Sequence, residues 1–277
     1  MKMVQLPSGE SVPAFGMGTW NLGDKRARRS EELATLRLGL DSGAALIDTA
    51  EMYGDGRSEE LVGEAISGRR GDAFLVSKVL PHHATRRGVA AACEASLGRL
   101  ATDYIDLYLL HWRGSVALEE TLEAFGDLQR AGKIRHWGVS NLDVADMREL
   151  SSIGGGEAVA TNQLLYNLLR RGIEWELAPY LRSRHIPIMA YSPIEQARLL
   201  SNPKLVQFGA ANDLTPAQAA LAWLLAKDDV IVIPCTSRRD RMRENLGALD
   251  HPLTADQLDE LNRLFPPPSG PRPLEML

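Results

Sequence analysis

The order of elements along the chain predicts an α/β fold, a closed (β/α)8 TIM barrel. Apolar runs alternate with amphipathic stretches through most of the 277 residues, and eight such pairs follow one another. Runs such as Ile231-Val232-Ile233 are continuously apolar, as expected of parallel strands that are buried on both faces. The length suits one large barrel and no linker divides the chain, so we expect a single domain over residues 1–277.

The predicted elements appear in strictly alternating order. Strands are predicted at Ala14–Gly18, Ala44–Ile47, Phe74–Ser77, Ile105–Leu110, Ile134–Val139, Ala158–Asn162, Ile186–Ala190 and Val230–Ile233. Helical patterns follow them at 30–42, 57–68, 86–99, 118–131, 143–151, 174–184, 215–226 and 239–248.

Both ends of the chain carry additions to the barrel. Short apolar segments flank Pro7-Ser8-Gly9-Glu10, which predicts an N-terminal β-hairpin that caps the bottom of the barrel. A further helix is predicted at Ala255–Leu264, because Thr254 and Gln257 form a capping-box pattern. The segment from Pro266 onward is rich in proline and glycine, so we expect an irregular tail.

Composition excludes several classes of protein. Lysine and arginine number 31 and aspartate and glutamate 36, which gives a net charge of −5 and no basic face for nucleic acid. No apolar run is long enough to cross a membrane, and the N-terminus does not read as a signal peptide. Cys93 and Cys235 cannot form a disulfide framework, which suits a reducing cytoplasm. We expect no metal, because no cysteine pair has ligand spacing and the histidines are dispersed apart from His82-His83.

The ends of the predicted strands carry the candidate functional residues. In a barrel of this kind, the carboxyl ends of the strands meet at one mouth, where active sites lie. From the second strand to the seventh, the residues at or just beyond these ends are Asp48 and Tyr53, Lys78, His111 and Trp112, Ser140-Asn141, Asn162-Gln163, and Tyr191-Ser192-Pro193. The eighth strand leads into a segment that runs from Pro234 to Asn245.

Four of these residues form a set with a definite chemistry. The Tyr53 phenol has an unperturbed pKa of about 10, and a nearby ammonium such as that of Lys78 is expected to lower it. Asp48 would keep the ammonium charged and oriented, and His111 could polarise a carbonyl oxygen. Such a set can donate a proton to a carbonyl oxygen while a hydride reaches the carbonyl carbon.

At this point the chain resembles the aldo-keto reductase family over almost its whole length. The resemblance rests on Gly16–Trp20, Ile47–Gly54, Ser77-Lys78, Asp106–Trp112, Gly138–Asn141, Asn162-Gln163, Tyr191–Pro193 and Ile233–Asn245, which occur in the family's order and spacing. The compact loops after His111 and Pro193 look like those of bacterial members that reduce small ketoaldehydes or keto-sugars.

The resemblance implies a role for each matching residue. Tyr53 would be the general acid in reduction, tuned by Lys78 and Asp48, and His111 would orient the carbonyl group. The cofactor would be NADPH/NADP, bound at Gly18, Thr19, Trp20, Ser140, Asn141, Gln163, Tyr191, Ser192, Pro193, Ile194, Ile233, Cys235, Thr236, Ser237, Arg238, Arg241, Glu244 and Asn245. Within that set, Ser140, Asn141 and Gln163 would bind the nicotinamide carboxamide, Tyr191 would stack under its ring, and the last six would hold the adenosine 2′-phosphate and adenine. Trp20, Met52 and Trp112 would line the pocket for a small carbonyl substrate.

Some features leave alternatives open. Cys235 stands where many NADPH-dependent members have a lysine, which weakens the expected preference for NADPH. A second hypothesis is a regulatory subunit that senses the nicotinamide redox state, although the chain shows no partner-binding extension and no obligate protein partner is expected. A third is a lyase or isomerase that uses Lys78 as a Schiff base, which would leave Asn141, Gln163, Tyr191 and Arg241 unexplained. Arg238 and Arg241 could also be solvated residues at a helix start.

Overall fold

Eight parallel strands form the barrel in the computed structural model, which describes all 277 residues. The strands, in chain order and in the order in which they pair, are β3 (Gly16–Gly18), β4 (Leu46–Asp48), β5 (Phe74–Val79), β6 (Ile105–Leu110), β7 (Ile134–Ser140), β8 (Asn162–Leu165), β9 (Ile188–Tyr191) and β10 (Val230–Val232). Parallel bridges from Phe15 to Val232 and from Gly18 to Cys235 join β3 to the β10 side and close the ring. The predicted barrel is therefore confirmed.

Closure of the ring depends on a close approach at Gly18. A Cβ atom at this position would lie 2.8 Å from the carbonyl oxygen of Ile233, so a larger residue would push the two strands apart. The Gly18 amide donates instead to the carbonyl of Pro234 at 3.0 Å. Gly18 thus joins the first and last barrel strands at the edge where the predicted site lies.

Ten α-helices accompany the strands. They are α1 (Arg29–Asp41), α2 (Arg57–Ile66), α3 (Arg86–Leu100), α4 (Leu118–Arg130), α5 (Val144–Ser152), α6 (Leu177–Ser183), α7 (Pro203–Ala211), α8 (Pro216–Leu225), α9 (Arg239–Leu246) and α10 (Ala255–Leu264). None of them is long and apolar enough to cross a membrane. The apolar faces of the helices pack on the strands, and one continuous hydrophobic core fills the space between the two layers.

The N-terminal hairpin covers the bottom of the barrel, as predicted. It pairs β1 (Met3–Gln5) with β2 (Ser11–Pro13) in antiparallel register. The Lys2 ammonium, just before β1, donates to the carbonyls of Leu225 and Lys227 at 2.9 and 2.8 Å, near the start of β10. These contacts attach the hairpin to the end of the barrel opposite the predicted site.

Two predictions about elements need correction. The sixth barrel strand was expected at Ala158–Asn162, but it lies at Asn162–Leu165, because a 3-10 turn ends at Ala158 and the register with β7 pairs Gln163 with Ser140. Asn162 and Gln163 therefore begin β8 rather than end it. Helix α7 was not predicted, although Asn202 caps it through its side chain and Pro203 occupies its first position.

Candidate active site

A cleft of about 510 Å³ opens at the carboxyl ends of the barrel strands. Twenty-two residues line it, eleven of them hydrophobic, and most of the residues predicted for the site are among them. The predicted residues on its walls are Gly18, Thr19, Trp20, Asp48, Met52, Tyr53, His111, Trp112, Ser140, Asn141, Gln163, Tyr191, Ser192, Pro193, Ile194, Ile233 and Cys235. Sequence reasoning missed Asn21, Gln196, Ala197, Met276 and Leu277, which also line the cleft.

Lys78 lies behind the wall of the cleft, fully buried in β5. Its ammonium donates to the Asp48 carboxylate at 2.8 Å, to the Thr49 carbonyl at 2.9 Å and to the Tyr53 hydroxyl at 3.1 Å. The three N–H donors of the ammonium therefore all have partners. The arrangement fixes Tyr53 relative to Asp48 and leaves Lys78 unable to reach a substrate.

Local backbone structure brings Tyr53 back over Lys78. Asp48 is the last residue of β4, and a 3-10 turn over Tyr53–Gly56 follows the strand. Gly54 and Gly56 have φ values of 59° and 87°, a region that glycine adopts without steric cost. The turn places the Tyr53 ring 4.7 Å from the Lys78 ammonium and edge-on to the His111 ring, whose centroid is 5.8 Å away.

Asp48 is held from two sides. One carboxylate oxygen accepts from Lys78, and the other accepts from the Gln163 side-chain amide at 2.7 Å. Gln163 thus links the predicted catalytic residues to the wall formed by β7 and β8. A buried carboxylate needs such partners, because leaving it unpaired in the barrel interior would cost several kcal/mol, on the order of 3–5.

The net pKa of the Tyr53 phenol is raised, not lowered, because burial outweighs the effect expected of the nearby Lys78 ammonium. Burial raises the pKa of Tyr53 well above its usual value, and the negative charge of Asp48 raises it further. Burial also lowers the pKa of the Lys78 ammonium, an effect that Asp48 opposes. Tyr53 therefore keeps its proton at neutral pH, which is the form required of a proton donor.

His111 is held neutral. Burial, and then the positive charge of Lys78, lowers the pKa of its imidazole to about 2. Its Nδ1 is buried and has no hydrogen-bond partner in the chain. A neutral imidazole at this position can hydrogen-bond an uncharged carbonyl group without adding a charge to the cleft.

The predicted carboxamide-binding residues form one hydrogen-bonded group. Asn141 donates from its side chain to the His111 carbonyl at 3.2 Å and to the Ser140 hydroxyl at 3.1 Å, and it accepts from the Tyr191 hydroxyl at 3.1 Å. Ser140 donates to the Gln163 carbonyl at 2.9 Å. Amide and hydroxyl groups therefore converge beside the half-buried Tyr191 ring, and this donor set fits a flat ring that carries a carboxamide.

Thr19, predicted to bind the cofactor, lines the cleft, and its hydroxyl makes hydrogen bonds within the fold. The Thr19 hydroxyl donates to the Asp48 carbonyl at 2.9 Å and accepts from the Ser58 hydroxyl at 2.7 Å.

Cys235 is exposed on the other side of the cleft, where its thiol donates to the Trp20 carbonyl at 3.2 Å.

The residues predicted to hold the 2′-phosphate and adenine lie outside the cleft lining, in the segment where the chain enters α9 and within α9 itself. They are Thr236, Ser237, Arg238, Arg241, Glu244 and Asn245. Arg238 pairs with Asp240 at 3.0 Å, and Arg241 pairs with Glu244 at 2.8 Å, while Asn245 is buried. Both guanidinium groups are exposed, so an anion can compete for them with these carboxylates.

The outer rim of the cleft is apolar. Trp20 and Met52 are 45% and 40% exposed, and Met276 and Leu277 of the C-terminal tail are further exposed large hydrophobic residues on the lining. No sequence signal places the tail at the cleft, because its path depends on contacts with residues about a hundred positions earlier in the chain, such as Arg170.

Comparison with known proteins agrees with this geometry. The sequence model of the Aldo/keto reductase family matches residues 14–265. Methylglyoxal reductase YeaE from Escherichia coli is 46% identical over all of this chain and 99% of its own length, and glyoxal reductase from Bacillus subtilis is 34% identical over 99% of this chain and 97% of its own.

Solved structures agree as well. A crystal structure of an aldo/keto reductase from Klebsiella pneumoniae, in complex with NADP and acetate, superposes with a TM-score of 0.97 at 46% sequence identity. The match covers 100% of this chain and 99% of the Klebsiella chain. The thermostable aldo-keto reductase Tm1743, in complex with the inhibitor epalrestat, superposes with a TM-score of 0.89 at 37% sequence identity. That match covers 95% of this chain and 100% of the Tm1743 chain. With its fold, its Asp48, Tyr53, Lys78 and His111 set and these matches taken together, the chain belongs to the aldo/keto reductase family.

Proposed function

We propose that this protein is an NADPH-dependent carbonyl reductase that converts small aldehydes and ketones, above all ketoaldehydes such as methylglyoxal, to alcohols. The observation that carries the proposal is the contact of the Lys78 ammonium with both the Asp48 carboxylate and the Tyr53 hydroxyl at the base of the cleft. The relatives described above include reductases of methylglyoxal and of glyoxal, and a solved neighbour contains NADPH.

Each residue of the set has a distinct part in the proposed reaction. Tyr53 donates its hydroxyl proton to the carbonyl oxygen, and the Lys78 ammonium, already hydrogen-bonded to that hydroxyl, stabilises the phenolate that remains. Asp48 compensates the charge of Lys78, and neutral His111 hydrogen-bonds the carbonyl oxygen. When bound, NADPH supplies the hydride that the carbonyl carbon accepts.

The cofactor would extend along one side of the cleft. Ser140, Asn141 and Gln163 would hold the carboxamide, Tyr191 would support the ring, and Ser192 and Ile194 would approach the pyrophosphate. The segment from Thr236 into the first turn of α9 would bind the 2′-phosphate, since helix N-termini and guanidinium groups favour phosphate.

The whole chain, residues 1–277, would act as one domain. Its two free cysteines support a cytoplasmic location.

The Schiff-base alternative receives no support from the geometry. Lys78 is buried behind the wall, it does not line the cleft, and its ammonium has three oxygen partners.

A panel of carbonyl compounds tests the proposed activity. Purified protein is mixed with NADPH and with methylglyoxal, glyoxal, an aromatic aldehyde or a keto-sugar, and the loss of NADPH absorbance is followed. We expect turnover with the ketoaldehydes. If NADPH binds but no carbonyl compound is reduced, the reductase proposal fails and a redox-sensing role is favoured.

Cofactor preference provides a second test, at Arg241 and Cys235. We expect Arg241→Ala to weaken NADPH binding about ten- to a hundredfold and to leave NADH nearly unchanged, because one charge-assisted contact contributes about 1.5–3 kcal/mol. Cys235→Lys should strengthen NADPH binding, since it restores a cation beside the site. Titration of both cofactors by quenching of tryptophan fluorescence measures the effects, with Arg243→Ala, an exposed arginine on the same helix, as the control. Equal losses for both cofactors in Arg241→Ala would show that this arginine does not bind the 2′-phosphate.

A further inference from the structure

Arg170, in the loop after β8, makes ion pairs with two segments that line the cleft from different directions. Its guanidinium binds Glu195, in the loop after β9, at 2.9 Å, and Glu275, in the C-terminal tail, at 2.5 Å. Arg170 itself does not line the cleft. It is therefore placed to hold the two segments relative to each other without touching a ligand.

The loop after β9 depends on this anchor. Glu195, Gln196 and Ala197 have φ values of 51°, 51° and 71°, three consecutive non-glycine residues in the left-handed region. Such backbone is unfavourable and persists only where its surroundings hold it. The loop lines the cleft through Ser192, Pro193, Ile194, Gln196 and Ala197.

Glu195 is the point where the loop is held. Its carboxylate is almost completely buried, and besides Arg170 it accepts from the side-chain amide of Asn167 at 2.7 Å. Asn167 also donates to the Ser192 carbonyl at 2.9 Å. The Asn167–Arg170 segment therefore binds the loop at two places.

The tail is attached at the same arginine. Glu275 precedes Met276 and Leu277, which form part of the apolar rim of the cleft. Farther back, Leu274 packs against the hydrophobic core, and Pro271, Arg272 and Pro273 lie along the start of α6. Glu275 is thus the last charged contact before the tail reaches the cleft.

We propose that Arg170 and Glu275 are positioning residues that couple the C-terminal tail to the loop over the cofactor, so that the order of the tail affects cofactor binding. The proposal rests on the proposed function, because it takes the loop after β9 as the segment beside the pyrophosphate. The coupling has a direct physical basis, since a guanidinium shared by two carboxylates orders both of them at once. A lysine offers a point charge rather than a planar fork, so it would not hold both carboxylates in this geometry.

The test uses Glu275→Gln, with Glu64→Gln as a matched control. Glu64 forms a comparable exposed pair with Arg29 at 2.9 Å, far from the cleft. Hydrogen exchange of the loop over 192–201 is measured without any ligand. Dissociation constants for NADPH are then measured by tryptophan quenching, together with KM and kcat for methylglyoxal.

We expect Glu275→Gln to speed exchange in the loop, to weaken NADPH binding about two- to fivefold and to raise KM while kcat stays within about twofold. Arg170→Lys should produce the same pattern more strongly, and Glu64→Gln should match the wild type. A loop whose exchange is unchanged in Glu275→Gln would overturn the proposal, and so would faster exchange with unchanged NADPH affinity. The exchange result is independent of the reaction: failure of the wild type to bind NADPH or to reduce carbonyls would refute the proposed function instead.

Discussion

Burial of charge sets the protonation states of the proposed catalytic residues. Lys78 and Asp48 lie inside the barrel as an ion pair, and each has further hydrogen-bond partners. Tyr53 sits at the boundary between this pair and the cleft, and its raised pKa keeps it protonated. In the proposed reaction, transfer of that proton to a substrate would leave a phenolate that the Lys78 ammonium already contacts, so the stabilising group is in place before the reaction begins.

His111 provides a prediction about stability and pH. Its folded-state pKa of about 2 lies below the 6.5 of an exposed histidine, so between these values the unfolded chain binds a proton that the folded protein does not. Stability contributed by this group is present above pH 6.5 and is lost as the pH falls. We expect the difference in unfolding free energy between pH 7.0 and 5.5 to be about 1 kcal/mol larger for the wild type than for His111→Asn.

Urea unfolding of both proteins at the two pH values measures this difference. The other five histidines are common to both proteins, so their contributions cancel. An equal pH dependence in the two proteins would show that His111 is not held neutral by the fold.

At the level of helices and strands, the sequence predicted those features that depend on local residue patterns. The capping box at Thr254 and Gln257 marked the start of α10, and the structure places that helix at Ala255–Leu264 as expected. The sequence could place Tyr53, Lys78, Asp48 and His111 together because each stands at or near the end of a barrel strand, and the barrel brings neighbouring strand ends together.

Features set by distant contacts were not predictable in this way. The start of β8 depends on its register with β7, which no property of residues 158–162 reveals. The left-handed backbone at Glu195–Ala197 is stabilised by Arg170 and Asn167 rather than by glycine, so the usual turn signal is missing. The net pKa of Tyr53 was not predictable either: burial raises it, and burial is a property of the folded chain rather than of the local sequence.

Helix α8 provides a prediction at this scale. Thr215 caps it: its hydroxyl accepts from the Gln218 backbone N–H at 3.2 Å, and the Thr215 backbone N–H donates to the Gln218 side-chain oxygen at 3.0 Å. We expect Thr215→Ala to lower the unfolding free energy by about 1 kcal/mol, since the amide loses its partner at a buried helix. Thr215→Ser keeps the hydroxyl and serves as the control in urea unfolding. A loss of the same size in both variants would assign the effect to the methyl group instead of the cap.

Across the whole molecule, the proposed active site and a buried ion-pair network lie at opposite ends of the barrel. At the bottom, a shallow depression of about 560 Å³ surrounds Glu10, Arg135 and His136, but its charged groups are already paired with one another. Asp106, buried at the start of β6, accepts from Arg70 at 2.6 Å, from Arg135 at 2.7 Å and from the Leu75 amide at 2.8 Å. This network joins three strands and, through Glu10, the hairpin.

Asp106→Asn should therefore destabilise the protein without affecting the cleft. We expect a loss of about 2–3 kcal/mol in unfolding free energy, at or just below the lower end of the range of about 3–5 kcal/mol for breaking a buried pair, because Arg135 is partly exposed. NADPH affinity and kcat, measured well below the unfolding midpoint, should match the wild type. A selective loss of turnover with unchanged stability would contradict this separation of the two ends.

Tyr53→Phe tests the central claim, that the phenol donates the proton during carbonyl reduction. The substitution keeps the ring beside His111 and removes only the hydroxyl that Lys78 contacts. We expect kcat for methylglyoxal reduction, followed by NADPH absorbance, to fall by about 10²–10⁴, the usual contribution of general acid catalysis, while the dissociation constant for NADPH changes less than about twofold. Turnover close to that of the wild type in Tyr53→Phe would contradict the account.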